Sequence, residues 1–114
     1  EIIQYFALKI AKLNELGLKD VIVDPGFGFA KTIEQNFYLL NRFEIFKITG
    51  APVLAGLSRK STIWKTLNIK SEDALNGTTV LNTIALLKGA DILRVHDVKE
   101  AAEAVKLLEK VTTS

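Results

Sequence analysis

The sequence predicts an α/β fold, in which helices cover a small parallel sheet. Three short, largely apolar runs predict strands: residues 21–23, 52–55 and 92–95. The first has no polar alternation, as expected of a strand covered on both faces. Between the three runs, apolar residues recur at spacings of three and four, which is typical of amphipathic helices. Strands that alternate with helices in this way favour a parallel sheet with right-handed crossovers.

The first helix is predicted over residues 1–16, and Gly17 follows it as a stop signal. We expect its apolar stripe to face the sheet, because a surface helix buries one face. The stripe consists of Ile3, Phe6, Ile10, Leu13 and Leu16.

Two capping boxes predict where later helices begin. Thr32 with Gln35, and Asp97 with Glu100, have the spacing at which two side chains cap each other's backbone. The apolar stripes that follow are Ile33, Phe37, Leu40 and Phe43 in one helix, and Ala101, Val105 and Leu108 in the other.

Two more helices are predicted between the second and third strands. A short one is expected around residues 63–67. A longer one begins at Ser71, which would cap it, and ends before Gly89. Its inward-facing side chains are expected to be Leu75, Val80, Ile84 and Leu87.

The composition is that of one ordinary globular domain, with 114 residues, 48% of them hydrophobic and 25% charged. The absence of cysteine excludes thiolate nucleophiles, disulfides and cysteine-based metal sites, and it fits the reducing cytoplasm, which is the location we expect. The sequence contains no methionine, so we expect the chain to be a piece of a longer protein.

The low net charge and the short apolar runs argue against two classes of partner. A formal net charge of +2 is too small for a nucleic-acid-binding surface. No apolar run approaches the ~20 residues of a membrane span, and the first residues do not resemble a secretory signal. We expect neither nucleic acid nor a membrane as a partner.

Polar and charged residues are concentrated in three loops that follow the predicted strands. We call residues 24–31 the first loop, 56–62 the second loop and 94–97 the third loop. The carboxyl ends of parallel strands face the same side of an α/β fold, where ligands bind. The sequence therefore predicts one ligand site formed by the three loops.

The first loop satisfies neither phosphate-binding motif that its glycines suggest. A Walker motif needs glycine where Ala30 stands, and a dinucleotide fingerprint needs glycine where Lys31 stands. Asp24, with Pro25 and Gly26, is typical of a turn. A second interpretation stays open, because a carboxylate at a strand end can accept two hydrogen bonds from an amino-heterocycle.

The other two loops carry cations. Arg59 and Lys60 lie between hydroxyl residues just before a helix, an arrangement typical either of an anion site or of a solvated basic turn. Arg94 and His96 are two residues apart on a strand, so their side chains are expected to leave the same face. Asp97 is interpreted as a helix cap rather than an acid or base.

Together, Lys60, Arg94 and His96 are expected to form a cationic cluster opposite Asp24. This favours a ligand with a neutral, hydrogen-bonding ring and an anionic tail such as a phosphate. We expect no metal site in this chain, because one histidine and one strand-end aspartate fall short of three converging ligands.

The three loops together resemble a known family. DPGFGFAK at residues 24–31, GLSRKS at 56–61 and RVHDV at 94–98 resemble, in this order, the last three strand-end motifs of dihydropteroate synthase, the sulfonamide target of folate synthesis. The resemblance covers the C-terminal part of that family's (β/α)8 TIM barrel. It implies that residues 1–114 belong to one pterin-binding domain, with strands six to eight and four to five helices.

The family joins p-aminobenzoate to 6-hydroxymethyl-7,8-dihydropterin pyrophosphate, giving 7,8-dihydropteroate and pyrophosphate. The resemblance implies that Asp24 binds the amino edge of the pterin and that Lys60 contacts its ring, with the Gly56 backbone close by. Arg94 and His96 would hold the departing pyrophosphate. Lys60, Arg94 and His96 are therefore the expected catalytic residues.

The resemblance also implies a pocket for p-aminobenzoate. Gly28 and Phe29 would border it, and Ser61 would face the carboxylate of this substrate. No role is implied for Lys31, Ser58 or Arg59.

Further expectations concern what lies outside this sequence. The family holds Mg²⁺ with loops near its N-terminus, so magnesium is expected as a cofactor with no ligand from this chain, which we expect to be inactive alone. A homodimer is expected, because helices after the last strands pair subunits in the family. Two alternatives remain: a pterin-binding methyltransferase barrel, which would not need the cations of the second and third loops, and a non-catalytic association module.

Overall fold

A computed structural model describes residues 2–17, 20–28 and 31–114. Helices and short parallel strands alternate along these residues, which confirms the predicted α/β class. The α-helices are α1 (Ile2–Glu15), α2 (Ile33–Asn41), α3 (Ser61–Leu67), α4 (Leu75–Leu87) and α5 (Val98–Thr112). The 3-10 helices span Phe43–Thr49 and Ser71–Asp73, and the strands are β1 (Leu54–Ala55) and β2 (Ile92–Leu93).

The strands pair in parallel, with Leu54 opposite Ile92 and Ala55 opposite Leu93. On the other side of β1, Val23 forms a parallel bridge with Val53. The three segments therefore lie in the spatial order first, second, third, and their carboxyl ends face one edge.

The first predicted strand, residues 21–23, is reduced to this single bridge among the described residues. Val23 donates to the Pro52 carbonyl at 2.9 Å, and the Leu54 amide donates to the Val23 carbonyl at 2.8 Å. In a parallel ladder, the next bonds on either side would need amide protons from Pro52 and Pro25, and proline has none. The two prolines of the chain thus stop the ladder in both directions.

Phenylalanines form the centre of the core. Phe27 of the first loop stacks on Phe43 with ring centroids 5.6 Å apart, and Phe43 contacts Phe46 at 5.8 Å. Phe6 of α1 meets Phe46 edge-on at 5.8 Å, so the first helix is held against the same cluster. Leu16, predicted to share the α1 stripe, follows the last residue of that helix and is 69% exposed.

The helix starts differ in part from the prediction. The Thr32–Gln35 capping box is present, with both hydrogen bonds formed. Ser71, in contrast, begins a separate 3-10 turn, and α4 starts at Leu75 without a side-chain cap. The prediction that Ser71 caps the longer helix is therefore wrong.

The buried face of α4 also differs from the predicted one, because small and polar side chains occupy it. Its buried residues are Gly77, Thr78, Asn82 and Ala85, whereas Val80 and Leu87 are exposed. Close helix packing explains the glycine: a Cβ atom at position 77 would lie only 2.5 Å from Ile63 Cγ2 of α3. The apolar spacing therefore identified Ile84, which packs against the core, but missed the small and polar residues that form the buried face.

We predict that Gly77→Ala lowers the free energy of unfolding by about 1–3 kcal/mol, because the added methyl group overpacks the contact with Ile63. In an unconstrained helix, the same change is stabilising by up to ~1 kcal/mol, so the sign is diagnostic. Urea unfolding measures the difference. Asn76→Ala, at the exposed neighbouring position, is the control and should not destabilise. Increased stability of Gly77→Ala would contradict the close packing.

Candidate functional site

The shared edge of the sheet brings residues of all three loops together. Asp24 follows the bridged Val23, Gly56 follows β1 and Arg94 follows β2. Arg94 Nη1 donates to Asp24 Oδ2 at 3.1 Å across the edge. The guanidinium lies over Gly56, where a Cβ atom would be 2.6 Å from Arg94 Nη2. The arginine therefore reaches the aspartate across a residue that has no side chain.

The carboxylate of Asp24 serves both the turn and the site. Its Oδ1 accepts a hydrogen bond from the Gly26 amide at 2.9 Å, which is the turn contact expected of this residue type. Its Oδ2 faces Arg94, and its side chain remains 34% exposed. Lys31 Nζ donates to the carbonyls of Pro25 and Gly26, at 3.2 and 3.1 Å. Lys31 therefore stabilises the loop from within.

The buried Phe27 ring fixes the middle of the first loop. The Phe27 carbonyl accepts a hydrogen bond from Lys60 Nζ of the second loop. Gly28 has φ +86°, a conformation that favours glycine, and a Cβ atom there would lie 3.2 Å from Lys60 Cδ. Lys60 therefore extends over the backbone of the first loop, along the side on which Gly28 presents no side chain.

Lys60 lies in a partly desolvated, cationic environment. Burial is the main cause that lowers the pKa of its amino group, and repulsion from Arg94 lowers that pKa further. The negative charge of Asp24 raises the pKa of Lys60, and the positive charge of Lys31 lowers it. Lys60, Arg94 and Asp24 are thus close enough for their charges to interact, as the strand-end positions predicted.

Arg59, adjacent to Lys60, has a different environment. Its Nε and Nη2 atoms donate to the two carboxylate oxygens of Asp97, each at 3.0 Å. Its Nη1 donates to the Ser71 and Glu72 carbonyls, at 3.3 and 2.9 Å. The Arg59 guanidinium is therefore hydrogen-bonded within the protein, whereas Lys60 donates to the described part of the first loop.

This ion pair also corrects the interpretation of Asp97 as a side-chain cap. Asp97 occupies the N-cap position of α5 but makes no side-chain capping bond there, so the capping box with Glu100 does not form. Both carboxylate oxygens are engaged by Arg59, which explains the difference. The hydrogen bond to Arg59 is the main cause that lowers the pKa of Asp97, and the same bond raises the pKa of Arg59.

Three further residues were predicted to belong to the site: His96, Ser61 and Phe29. The His96 amide donates to Oγ of the buried Ser58 at 3.1 Å, so its backbone is tied to the second loop, and its side chain is exposed. Ser61 is the first residue of α3 and is half-buried. Phe29 lies outside the described residues.

Asn36 of α2 is a site-supporting residue that the sequence analysis missed. It is 3% exposed; its Oδ1 accepts from the Gly28 amide at 2.9 Å, and its Nδ2 donates to Thr62 Oγ1 at 2.9 Å. It therefore joins the first loop to α3. The available signal was a polar residue three positions after Ile33 and four before Leu40, within the apolar stripe.

The described residues do not form a metal site. Among them, no group of three or more histidine, aspartate or glutamate side chains is placed to hold an ion. We therefore assign no chemical step to a metal held by these residues. In the same part of the chain, the helices are too short or too polar to cross a membrane.

Comparisons with known proteins agree with this geometry. A family model described as pterin binding enzyme matches residues 1–96. A dihydropteroate synthase from Escherichia coli K12 is 40% identical over 96% of the chain. The structure of 7,8-dihydropteroate synthase from Vibrio fischeri ES114 superposes with a TM-score of 0.92 at 38% identity, covering 99% of this chain and 43% of that one.

A third relative is the Xanthomonas albilineans dihydropteroate synthase in complex with 7,8-dihydropteroate, with a TM-score of 0.93, 31% identity and coverage of 99% of this chain and 46% of that one. The chain spans 39% of the length of the Escherichia coli relative. The resemblance to dihydropteroate synthase predicted from the three loops is confirmed, and the chain belongs to the family of pterin binding enzymes.

Proposed function

We propose that the complete site to which this chain contributes joins p-aminobenzoate to 6-hydroxymethyl-7,8-dihydropterin pyrophosphate, giving 7,8-dihydropteroate and pyrophosphate. The observation that carries the proposal is the rim formed by the Asp24–Arg94 ion pair and by Lys60, which reaches across the first loop to the Phe27 carbonyl. Such a rim suits a ligand with a polar ring edge and an anionic tail. The dihydropteroate synthases among the relatives support the same activity.

Asp24 would bind the pterin. An ionised carboxylate accepts hydrogen bonds only, so it complements the amino edge of the ring. Because Arg94 pairs with Asp24 Oδ2 in this structure, an arriving ring would replace that contact. The released guanidinium, half-exposed already, would then be available to the diphosphate. Lys60 would contact the ring, and Gly56 would leave room for it.

Arg94, His96 and Lys60 would stabilise the leaving group. In a dissociative displacement, the carbon–oxygen bond breaks first and its electron pair leaves with pyrophosphate. The amine of p-aminobenzoate then forms the carbon–nitrogen bond and releases a proton. Fixed cations stabilise the developing charge, and loss of one such contact costs on the order of 10²–10³ in rate. The reaction needs no covalent intermediate on the protein.

The p-aminobenzoate pocket is proposed at Gly28, Phe29 and Ser61. Gly28 has a positive φ, its amide donates to Asn36, and the Lys60 side chain passes along the side where Gly28 has no Cβ atom. Magnesium would be bound outside this chain, and turnover would require the residues that complete the barrel. The cations of the second and third loops favour this activity over a methyltransferase, which releases no pyrophosphate.

We predict that Asp24→Asn weakens binding of 6-hydroxymethylpterin, which lacks the diphosphate, by about 10–100-fold, because a charge-assisted hydrogen bond is lost. Binding of inorganic pyrophosphate should be unchanged or tighter, since Arg94 is released from its partner. Calorimetric titration of the full-length protein measures both.

Asp20→Asn, an exposed acid on the same chain, is the matched control and should change neither affinity. If Asp24→Asn lowers the affinity for both ligands equally, or leaves the pterin affinity unchanged, Asp24 does not bind the ring edge as proposed.

The lowered pKa of Lys60 predicts a pH dependence. The amino group loses its charge at a lower pH than an ordinary lysine, whose pKa is about 10.4, so pyrophosphate affinity should begin to fall below that pH. Lys60→Arg should move the fall to higher pH, because guanidinium stays charged. Pyrophosphate affinity measured against pH tests this. The control is Lys65→Arg, at an exposed position of α3, which should have the same pH profile as the unmodified protein. If Lys60→Arg also has that profile, Lys60 does not contribute to pyrophosphate binding.

We also propose that the protein self-associates through α4 and α5. Both helices expose large apolar side chains, a feature typical of interaction surfaces. They are Val80 and Leu87 on α4, and Val98, Leu107 and Val111 on α5.

We predict a mass of at least a dimer by light scattering, and a lower mass for Leu107→Gln because it removes exposed apolar surface. Lys106→Gln, the exposed neighbour, should not change the mass. A monomer at every concentration would contradict this proposal.

A further inference from the structure

Side-chain hydrogen bonds join the second loop to the third at two successive positions. Arg59 forms a two-pronged ion pair with Asp97, with both N–O distances 3.0 Å. One residue earlier in each loop, Ser58 Oγ accepts the His96 amide proton at 3.1 Å. The two loops are therefore cross-linked at successive positions, although 38 residues separate the partners in the sequence.

Arg59 is the centre of this cross-link. Its backbone has φ +52°, which is unfavourable for a residue with a side chain and must be compensated by contacts. Its amide donates to Oγ1 of the buried Thr78 at 3.0 Å, and Nη1 reaches the Ser71 and Glu72 carbonyls. One residue thereby ties the second loop to α4, to the 3-10 turn before it and to the third loop.

The cross-link lies next to the cations assigned to the anionic tail. Arg59 directly precedes Lys60, and Asp97 directly follows His96. A guanidinium–carboxylate pair with two parallel hydrogen bonds fixes orientation as well as distance. The pair therefore constrains how far the backbones of Lys60 and His96 lie from each other, even though Arg59 itself is engaged within the structure.

We propose that the Arg59–Asp97 pair is a positioning device that holds Lys60, Arg94 and His96 at the spacing required by a diphosphate group. This inference rests on the proposed function and extends it to two residues to which the family resemblance gave no ligand role. Arg59 and Asp97 act through their neighbours. They should therefore affect the anionic tail of the ligand and leave the ring edge at Asp24 unaffected.

A second ion pair offers a matched comparison. Lys47 Nζ lies 2.6 Å from Asp91 Oδ2, and the same oxygen accepts the Val53 amide proton at 2.9 Å. Asp91 directly precedes β2, so this pair lies at the amino end of the sheet, away from the three loops. Its loss should reduce stability and leave the affinity for either part of the ligand unchanged.

The test uses the full-length protein with three single variants and the double variant that combines Arg59→Lys with Asp97→Asn. Arg59→Lys keeps the charge but loses the two-pronged geometry, Asp97→Asn keeps the shape but loses the charge, and Asp91→Asn is the control. Calorimetry measures binding of inorganic pyrophosphate and of 6-hydroxymethylpterin separately. Steady-state rates with the pterin diphosphate give kcat and KM, and thermal unfolding monitors stability.

We expect Arg59→Lys and Asp97→Asn each to weaken pyrophosphate binding about tenfold and to lower kcat, since displacement of a binding group by ~1 Å can cost up to 10²-fold. Affinity for the bare pterin should fall by a smaller factor, because Asp24 is untouched and Lys60 is one of several groups at the ring. The double variant should bind pyrophosphate no more weakly than the single variant with the lower affinity, because both changes break the same interaction. Asp91→Asn should lower the unfolding temperature and leave both affinities unchanged.

Equal losses of pterin and pyrophosphate affinity in the Arg59 and Asp97 variants would overturn the inference, because a general loss of structure would then explain them. Unchanged pyrophosphate affinity, or the same selective loss in Asp91→Asn, would also overturn it. Full-length protein that binds neither ligand before any substitution would overturn the proposed function itself and the inference with it. If Arg59→Lys does not fold, the shape-preserving Asp97→Asn decides the outcome.

Discussion

The parallel pairing around Val53 is the constraint on which the rest of the structure depends. Val53 is fully buried; it bridges Val23 on one side, and its carbonyl accepts the Asp91 and Ile92 amides on the other, at 2.8 and 3.2 Å. These contacts set the register of all three segments. Because the segments run in the same direction, the residues that follow them must emerge at one edge, and this is why three distant loops form one site.

The sequence was sufficient for the α/β class and for the edge at which the site lies, because helix and strand periodicities are local properties. It was not sufficient for strand length. Pro25 and Pro52 were recognised as turn and strand residues, but their missing amide protons matter only once the partner strand is known. The same limit applies to α4, where contact with Ile63 makes Gly77 a buried residue and the apolar spacing gives no sign of it.

For the site, the sequence was sufficient to predict which residues lie close together, but not which of two possible partners a side chain would bind. Asp24, Lys60 and Arg94 are close because they follow paired strands. Asp97 has the sequence of a helix cap, yet its carboxylate is engaged by Arg59, 38 residues away. Two charge-assisted hydrogen bonds to a guanidinium outweigh the one bond that a carboxylate accepts from a backbone amide at a helix start, so the long-range partner prevails over the local one. Spacing rules such as the capping box consider only the local partner.

The charges at the rim also bear on how the two parts of a ligand would act together. Arg94 can pair with Asp24 or with an external anion, and its pairing with Asp24 opposes both a ring at Asp24 and a diphosphate at Arg94. Under the proposed function, a ligand that carries both groups breaks this contact only once. Binding of either part then favours binding of the other by the same factor, as linkage requires. The ion pair of the free protein is therefore a source of selectivity for molecules that combine a polar ring with an anionic tail.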